Sequence, residues 1–390
     1  MKKCWEIFWR FLLLGCISFG GPAAHIGYFQ HAFVKKLGWL TNDAYVKLIS
    51  LSQILPGPGS SQIGFAIGLQ KAGLAGGVAA FIGFTLPSFI LMYWLAMSVN
   101  LKSPENWVLS VSNGLKLLAA VVVFDAVITM FKSFCKNRLS VLIMFLSILF
   151  LAIYKSFYTQ ILVLLIAMLI GIINSKATTK QIKINQTLTN IDWLPMLLFL
   201  SLFFISLGLS QYDSFAGLFA TFYKNGSLVF GGGHVVLPLL QTSVGDTLTE
   251  QQFLFGYAAA QGVPGPMFTM ATFMGAKWFE SAPLLGAILA TLAIFLPGFL
   301  LILTIHNSWQ SLSQQPIFIG ASTGINAAVL GFLILALYDP VLTNAVHSYS
   351  DLGIVVIGYL GLKLYKPPIL ILITVFILLG FFKIYLLDSY

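Results

Sequence analysis

The sequence predicts an all-α polytopic membrane protein built from two inverted-topology repeats, with helices broken or re-entrant at FGG and PGP motifs. Three observations carry this. Of 390 residues, 58% are hydrophobic and only 8% are charged, 21 basic and 12 acidic. The apolar residues fall into long segments. The 35 Gly and 15 Pro, many for a helical chain, gather in short motifs that recur in both halves. An ordinary soluble domain is about 25% charged, so composition excludes a soluble enzyme, a disordered chain and a nucleic-acid binder. The net charge of +9 fits basic residues gathered in cytoplasmic loops.

Thirteen apolar segments follow in order. Six run roughly over 5–29, 45–69, 73–99, 108–131, 139–154 and 159–173. The last six cover 214–240, 253–275, 283–305, 317–338, 352–365 and 369–387. Between them lie a polar stretch, 174–191, and a single helix, 192–209. The expected organisation is a first repeat at 1–173, a cytoplasmic linker at 174–191, an unpaired orientation-flipping helix at 192–209 and a second repeat at 210–390. The first segment carries Glu6 and Arg10 and lacks a small-residue cleavage site, so it is expected to stay in the mature protein. Cys4, Cys16 and Cys135 have no metal or redox spacing, and neither a cofactor nor a metal is expected.

The halves match in order, spacing and residue type. FGG at 19–21 answers FGGG at 230–233, each preceded at the same distance by a glycine, Gly15 or Gly226. Leu40-Thr41 answers Leu248-Thr249, QILPGP at 53–58 answers QGVPGP at 261–266, and Leu86-Pro87 answers Leu296-Pro297. Phe19 stands 37 residues before Pro56, and Phe230 stands 34 before Pro264. Such internal duplication is common in transporters. Seven segments separate equivalent points, and an odd offset inverts one half in the membrane.

Charge placement favours re-entry. If every segment crosses, the loop with Lys35, Lys36 and Lys47 lies outside, against the positive-inside rule. If each FGG and PGP segment instead returns to the side it came from, Lys2, Lys3, Lys35, Lys36, Lys47, Lys71, Lys132, Lys136, Arg138, Lys176, Lys180, Lys183, Lys363 and Lys366 become cytoplasmic. Asp213, Asp246, Glu250, Asp339 and Asp351 become external. Five crossings then separate equivalent points, which is still odd. The chemistry agrees. Proline removes a donor and clashes with the preceding turn, and paired glycines weaken what remains. Broken backbone at membrane depth survives only inside protein or beside a water-filled cavity. Four breaks, two per half, point to one shared site; ordinary kinks that let helices pack closely are the alternative.

FGGPAAHIGYF (19–29), QILPGP (53–58), FGGGHVVLPLL (230–240) and AAQGVPGPMF (259–268) resemble the motifs of the chromate ion transporter family, in its long two-domain form. The resemblance covers both halves. It implies a multi-pass carrier of the cytoplasmic membrane that exports chromate and lowers its accumulation; the inverted repeats add alternating access, with coupling to protons or sulfate left open. Sulfate is the isosteric mimic. The implied partners are chromate or a similar oxyanion and the lipid bilayer, with no nucleic acid; a homo-oligomer stays open.

A tetrahedral oxyanion needs donors. Backbone N–H groups at broken helix ends supply them, which points to Gly20, Gly21, Pro22, Pro56, Gly57, Pro58, Gly59, Gly231, Gly232, Gly233, Pro264, Gly265 and Pro266. Ser60 and Thr269 add hydroxyls that can instead bond back to their own helix. Gln53 and Gln261 precede the two PGP elements equivalently. Lys224 and Lys116 are cations at depth, with snorkelling to the interface as the alternative. His25 and His234 can donate neutrally or carry charge, or merely tie down broken backbone. Asp125 lies deep in its segment, about 900° of helix from Lys116 and so on the opposite face. It needs another partner or a coupling role. The sequence holds no HExxH, CxxC or GxxxxGK[ST] pattern, and its GxSxG match, GASTG at 320–324, falls inside an apolar segment rather than after a strand, so neither an enzyme nor an ATP-driven pump is expected. A channel, or a carrier of another anion such as sulfate, is the nearest alternative.

Overall fold

The computed structural model describes residues 2–99, 106–178, 191–244, 247–306 and 315–383. Asp246, Lys180, Lys183 and most of the linker 174–191 lie outside them. All regular elements among the described residues are helical. The first half contains α1 (Lys2–Ile17), α2 (Gly21–Phe29), α3 (Asn42–Ile54), α4 (Gly59–Ser98), α5 (Asn106–Phe134), α6 (Arg138–Ile153) and α7 (Phe157–Thr178). Helix α7 thus runs past 173 into the stretch read as linker. The single helix is α8 (Trp193–Leu209). The second half contains α9 (Phe215–Gly226), α10 (Val236–Val244), α11 (Glu250–Gly262), α12 (Met270–Trp278), α13 (Pro283–Ile305), α14 (Pro316–Ala336), α15 (Tyr349–Tyr365) and α16 (Ile369–Phe382).

The chain breaks where the motifs require it. Phe19-Gly20 separates α1 from α2, and Pro56-Gly57-Pro58 separates α3 from α4. In the second half, Phe230 to Gly232 and Pro264-Gly265-Pro266 do the same. The matched Leu-Thr pairs turn out to be helix starts. Thr41 caps α3 by accepting from the Ala44 N–H, and Thr249 caps α11 in a capping box with Gln252, each satisfying an orphan donor of the first turn.

Helix α4 is a hairpin rather than one rod. Its backbone leaves the helical region at Ala72 (φ −149°, ψ 29°) and Gly73 (φ +65°, ψ −160°). The legs 59–71 and 74–98 meet at Gly68 and Gly76, where a Cβ on either would strike the other's carbonyl. The second half repeats this with α12 and α13, joined by a short turn and touching at Gly275 and Gly286. The long leg of each hairpin packs on the first helix of its own half, α4 on α1 and α13 on α9. Gly15 there lies on the Phe84 carbonyl, and Gly226 on that of Ile294.

The halves then exchange partners. Helix α5 packs on α15 and α16 of the second half, while its equivalent α14 packs on α6 and α7 of the first. Small residues permit both crossings: Gly114 against Phe376, and Gly324 against Ala167. Among the described residues, five helical stretches are long and apolar enough to cross a membrane: 59–98, 107–134, 157–175, 283–305 and 316–345. Helices α6, α8 and α16 are shorter but apolar. Leu142, Phe145, Leu149, Ile153, Trp193 and Phe204 are exposed on α6 and α8, an apolar exterior suited to lipid.

Candidate functional site

Gly20 (φ +97°) and Gly21 (φ +73°) turn the chain out of α1, and Gly231 (φ +76°) and Gly232 (φ +135°) turn it after α9. These backbone angles are open to glycine at little steric cost. Each turn leaves the first amides of the next helix without intrahelical acceptors. The two turns line one cavity of about 690 Å³. Its other walls include α5 (Val122, Asp125, Thr129), Tyr28 of α2, Leu362, the Pro367-Pro368 loop and the start of α16 from Ile369. Nine of the residues named from sequence line it: Gly20, Gly21, Pro22, Asp125, Gly231, Gly232, Gly233, His234 and Gln261.

The others lie elsewhere, and several have a visible structural duty. The Gly57 N–H donates to the Val229 carbonyl at 2.7 Å, and the Gly265 N–H donates to Ser18 at 2.9 Å. Pro56, Pro58, Pro264 and Pro266 shape these two clamps outside the cavity lining, and Gly59 begins α4 behind them. His25 is fully buried. Its Nδ1 lies 3.1 Å from Ser60 Oγ and its Nε2 lies 3.2 Å from the Ser18 carbonyl, so it braces one FGG break against one PGP break. The Thr269 hydroxyl donates back to Pro266 at 2.8 Å. Gln53 is exposed on α3, whereas Gln261 donates to Met267 Sδ at 3.2 Å beside the cavity. The Lys224 ammonium donates to Ser210 Oγ at 2.9 Å and sits 4.3 Å from the Phe157 ring centre. Lys116 is half-buried on α5 and does not line the cavity.

Asp125 finds the partner its own helix denies it. Lys363 of α15 donates to Asp125 Oδ1 at 3.1 Å, joining the two halves at the cavity wall. Sequence reasoning placed Lys363 only as a loop charge. Tyr257 escaped notice as one aromatic within an apolar segment; its hydroxyl lies 2.8 Å from His234 Nδ1. Neither pair carried a local signal, because both join residues distant in sequence.

A second, smaller cavity of about 180 Å³ lies between Lys155 and Asp339, which form an ion pair at 2.6 Å. Its lining residues Phe332, Leu335, Ala336 and Asp339 stand 210 positions after Val122, Asp125, Ala126 and Thr129 of the first. Leu151 and Gln160 likewise answer Leu362 and Ile369, at spacings of 211 and 209. The two cavities are therefore equivalent regions of the two halves, one large and one small.

Sequence comparison agrees with the duplication. A chromate transporter family model matches this chain twice, at residues 5–172 and 216–381. An uncharacterized transporter of Methanocaldococcus jannaschii is 27% identical over 84% of this chain and 82% of its own. A probable chromate transport protein of Synechococcus elongatus is 27% identical over 94% and 92%. A chromate transport protein of Cupriavidus metallidurans is 25% identical over 96% and 87%. No solved structure matches the chain.

Proposed function

The chain belongs to the chromate transporter family, and from that premise we propose that it is a secondary carrier of chromate or a like tetrahedral oxyanion, working by alternating access. The observation that carries this is the pair of equivalent cavities, about 690 and about 180 Å³. An inverted repeat that exchanges the conformations of its halves opens one cavity as it closes the other. The large cavity abuts the Pro367-Pro368 loop, next to Lys366, and the end of α5 that leads to Lys132 and Lys136. By the positive-inside rule this is the cytoplasmic face of the cell membrane, so the conformation is inward-facing, ready to load an exported anion.

The lining suits such a cargo. The glycine amides of both FGG breaks and the His234 ring offer neutral donors, as at other helix-terminus anion sites. Lys363 supplies a cation at the cavity wall, shared with Asp125. Protonation of Asp125 would release Lys363 to the anion, which makes this pair the proposed coupling element. The PGP elements, His25 and Lys224 serve as scaffold in this reading, holding the two breaks in register.

Re-entry of the FGG and PGP hairpins is part of the proposal. The Lys71 ammonium lies 4.9 Å from the Trp39 ring centre. Those residues sit on opposite sides if every segment crosses, and on one side if the hairpins return. The test of function is uptake of chromate and sulfate into vesicles holding the purified protein, with an imposed pH gradient and with none. Saturable uptake with counterflow is expected. Flux linear in concentration without counterflow would identify a channel instead.

A further inference from the structure

The two histidines beside the FGG breaks put their ring protons to different uses. The Ser18 carbonyl can only accept, so His25 carries its proton on Nε2, and its Nδ1 accepts a hydrogen bond from the Ser60 hydroxyl. Both of its nitrogens are occupied. His234 has one nitrogen occupied: Nδ1 lies 2.8 Å from the Tyr257 hydroxyl. Tyr257 is fully buried on α11, and among the described residues its hydroxyl has no other partner. If Nδ1 carried the ring proton, the hydroxyl would have to accept it, and its own proton would be stranded away from water. A stranded buried donor is the costlier arrangement. Tyr257 therefore donates, Nδ1 accepts, and the ring proton of His234 sits on Nε2. That nitrogen has no partner among the described residues, and His234 lines the large cavity next to Gly231, Gly232 and the facing Gly20 and Gly21.

We propose that Tyr257 is a positioning residue of the anion site: its hydroxyl fixes His234 as the Nε2–H tautomer and turns that N–H into the cavity as a neutral donor to a tetrahedral oxyanion. This rests on the reading of the large cavity as the anion site. It gives His234 a role that His25 cannot play, although both follow an FGG break. It also makes a buried tyrosine just ahead of the second PGP motif part of anion affinity. A fixed tautomer matters because the free ring would otherwise spend part of its time with a lone pair facing the anion.

The test uses the full-length protein in lipid vesicles, with equilibrium binding of radiolabelled sulfate and of chromate. Tyr257→Phe frees both the tautomer and the ring orientation, so binding of both is expected to weaken by about three- to tenfold, the inverse of the fraction of rings still presenting Nε2–H. The Gln side-chain amide stands where imidazole Nε2 does and needs no tyrosine to orient its proton. In the His234→Gln background, itself weakened, adding Tyr257→Phe should therefore change binding by less than about twofold. Nitrogen-15 spectra of histidine-labelled protein should show the His234 proton on Nε2 in the unmodified chain. In Tyr257→Phe they should show a mixture of tautomers. Equal loss on Tyr257→Phe in both backgrounds would make Tyr257 merely structural and overturn the proposal. So would a proton on Nδ1 in the unmodified chain, a measurement that needs no variant to fold. If His234→Ala itself leaves sulfate and chromate binding unchanged, the anion-site reading fails at this residue. If His234→Ala weakens binding and Tyr257→Phe does not, only the positioning role fails.

Discussion

The backbone N–H of Gly57 donates to the carbonyl of Val229 at 2.7 Å. Gly265 returns the equivalent bond to Ser18 at 2.9 Å. Each PGP break is thereby tied to the residue just ahead of the other half's FGG break. Exchanging the halves maps one bond onto the other, the mark of a two-fold relation.

Alanine at either clamp glycine should destabilise the fold. Gly57 has φ +120° and Gly265 has φ +102°. A Cβ would lie 2.9 Å from Gly298 Cα in the first case and 2.9 Å from Ser88 Oγ in the second. Strain of about 1–3 kcal/mol is expected for Gly57→Ala and Gly265→Ala, seen as a lower Tm in detergent. Gly38→Ala, with φ +58° and open space around it, should lose less. Equal small losses at all three positions would count against tight clamps.

The membrane side of the hairpins is open to labelling. Cys4, Cys16 and Cys135 are free and would first be replaced by serine. Single cysteines at Lys35 and Lys71 should then react with an impermeant maleimide only when the cytoplasmic face is exposed. Reaction of either in intact cells would mean that the segment between them crosses.

Charge at the cavity wall should act with opposite signs. Asp125→Asn removes a negative group facing the anion and frees Lys363, so sulfate should bind more tightly. Lys363→Gln removes the cation and should weaken it. Each change is expected at about 1 kcal/mol, roughly fivefold in Kd, because both side chains are partly solvated. Matching losses in the two variants would place the anion elsewhere.

Lys224 gives a contrasting case. Its ammonium is held by Ser210 and the Phe157 ring, away from the large cavity. Lys224→Gln should lower Tm while leaving sulfate Kd within about threefold, since a lost buried hydrogen bond acts on stability. A loss of binding with unchanged Tm would restore Lys224 to the anion site.

Much of this was legible in the sequence because the deciding signals were local. Glycine pairs and prolines mark broken helices wherever they fall, and their recurrence exposed the repeat before any contact was known. The Leu-Thr pairs looked like alignment anchors and proved to be helix caps. What stayed hidden was the sorting of breaks into cavity and scaffold. Gly57 and Gly231 read alike in sequence, yet the Gly57 amide is bonded across the repeat interface while Gly231 lines the large cavity. The same holds for His25 and His234, and for Asp125, whose partner stands 238 residues away. The Asp125–Lys363 pairing arises from the exchange of α5 and α14 between halves, which no single segment encodes.

The central claim is that the two FGG breaks bind one oxyanion between them. Selenate is a tetrahedral dianion whose selenium scatters anomalously. A crystal of the protein soaked in selenate, measured at the selenium edge, should show one strong anomalous peak within hydrogen-bond reach of the Gly20-Gly21 and Gly231–Gly233 amides and of the His234 ring. A peak elsewhere, beside Lys224 or at the PGP clamps, or none at concentrations that inhibit sulfate uptake, would contradict it.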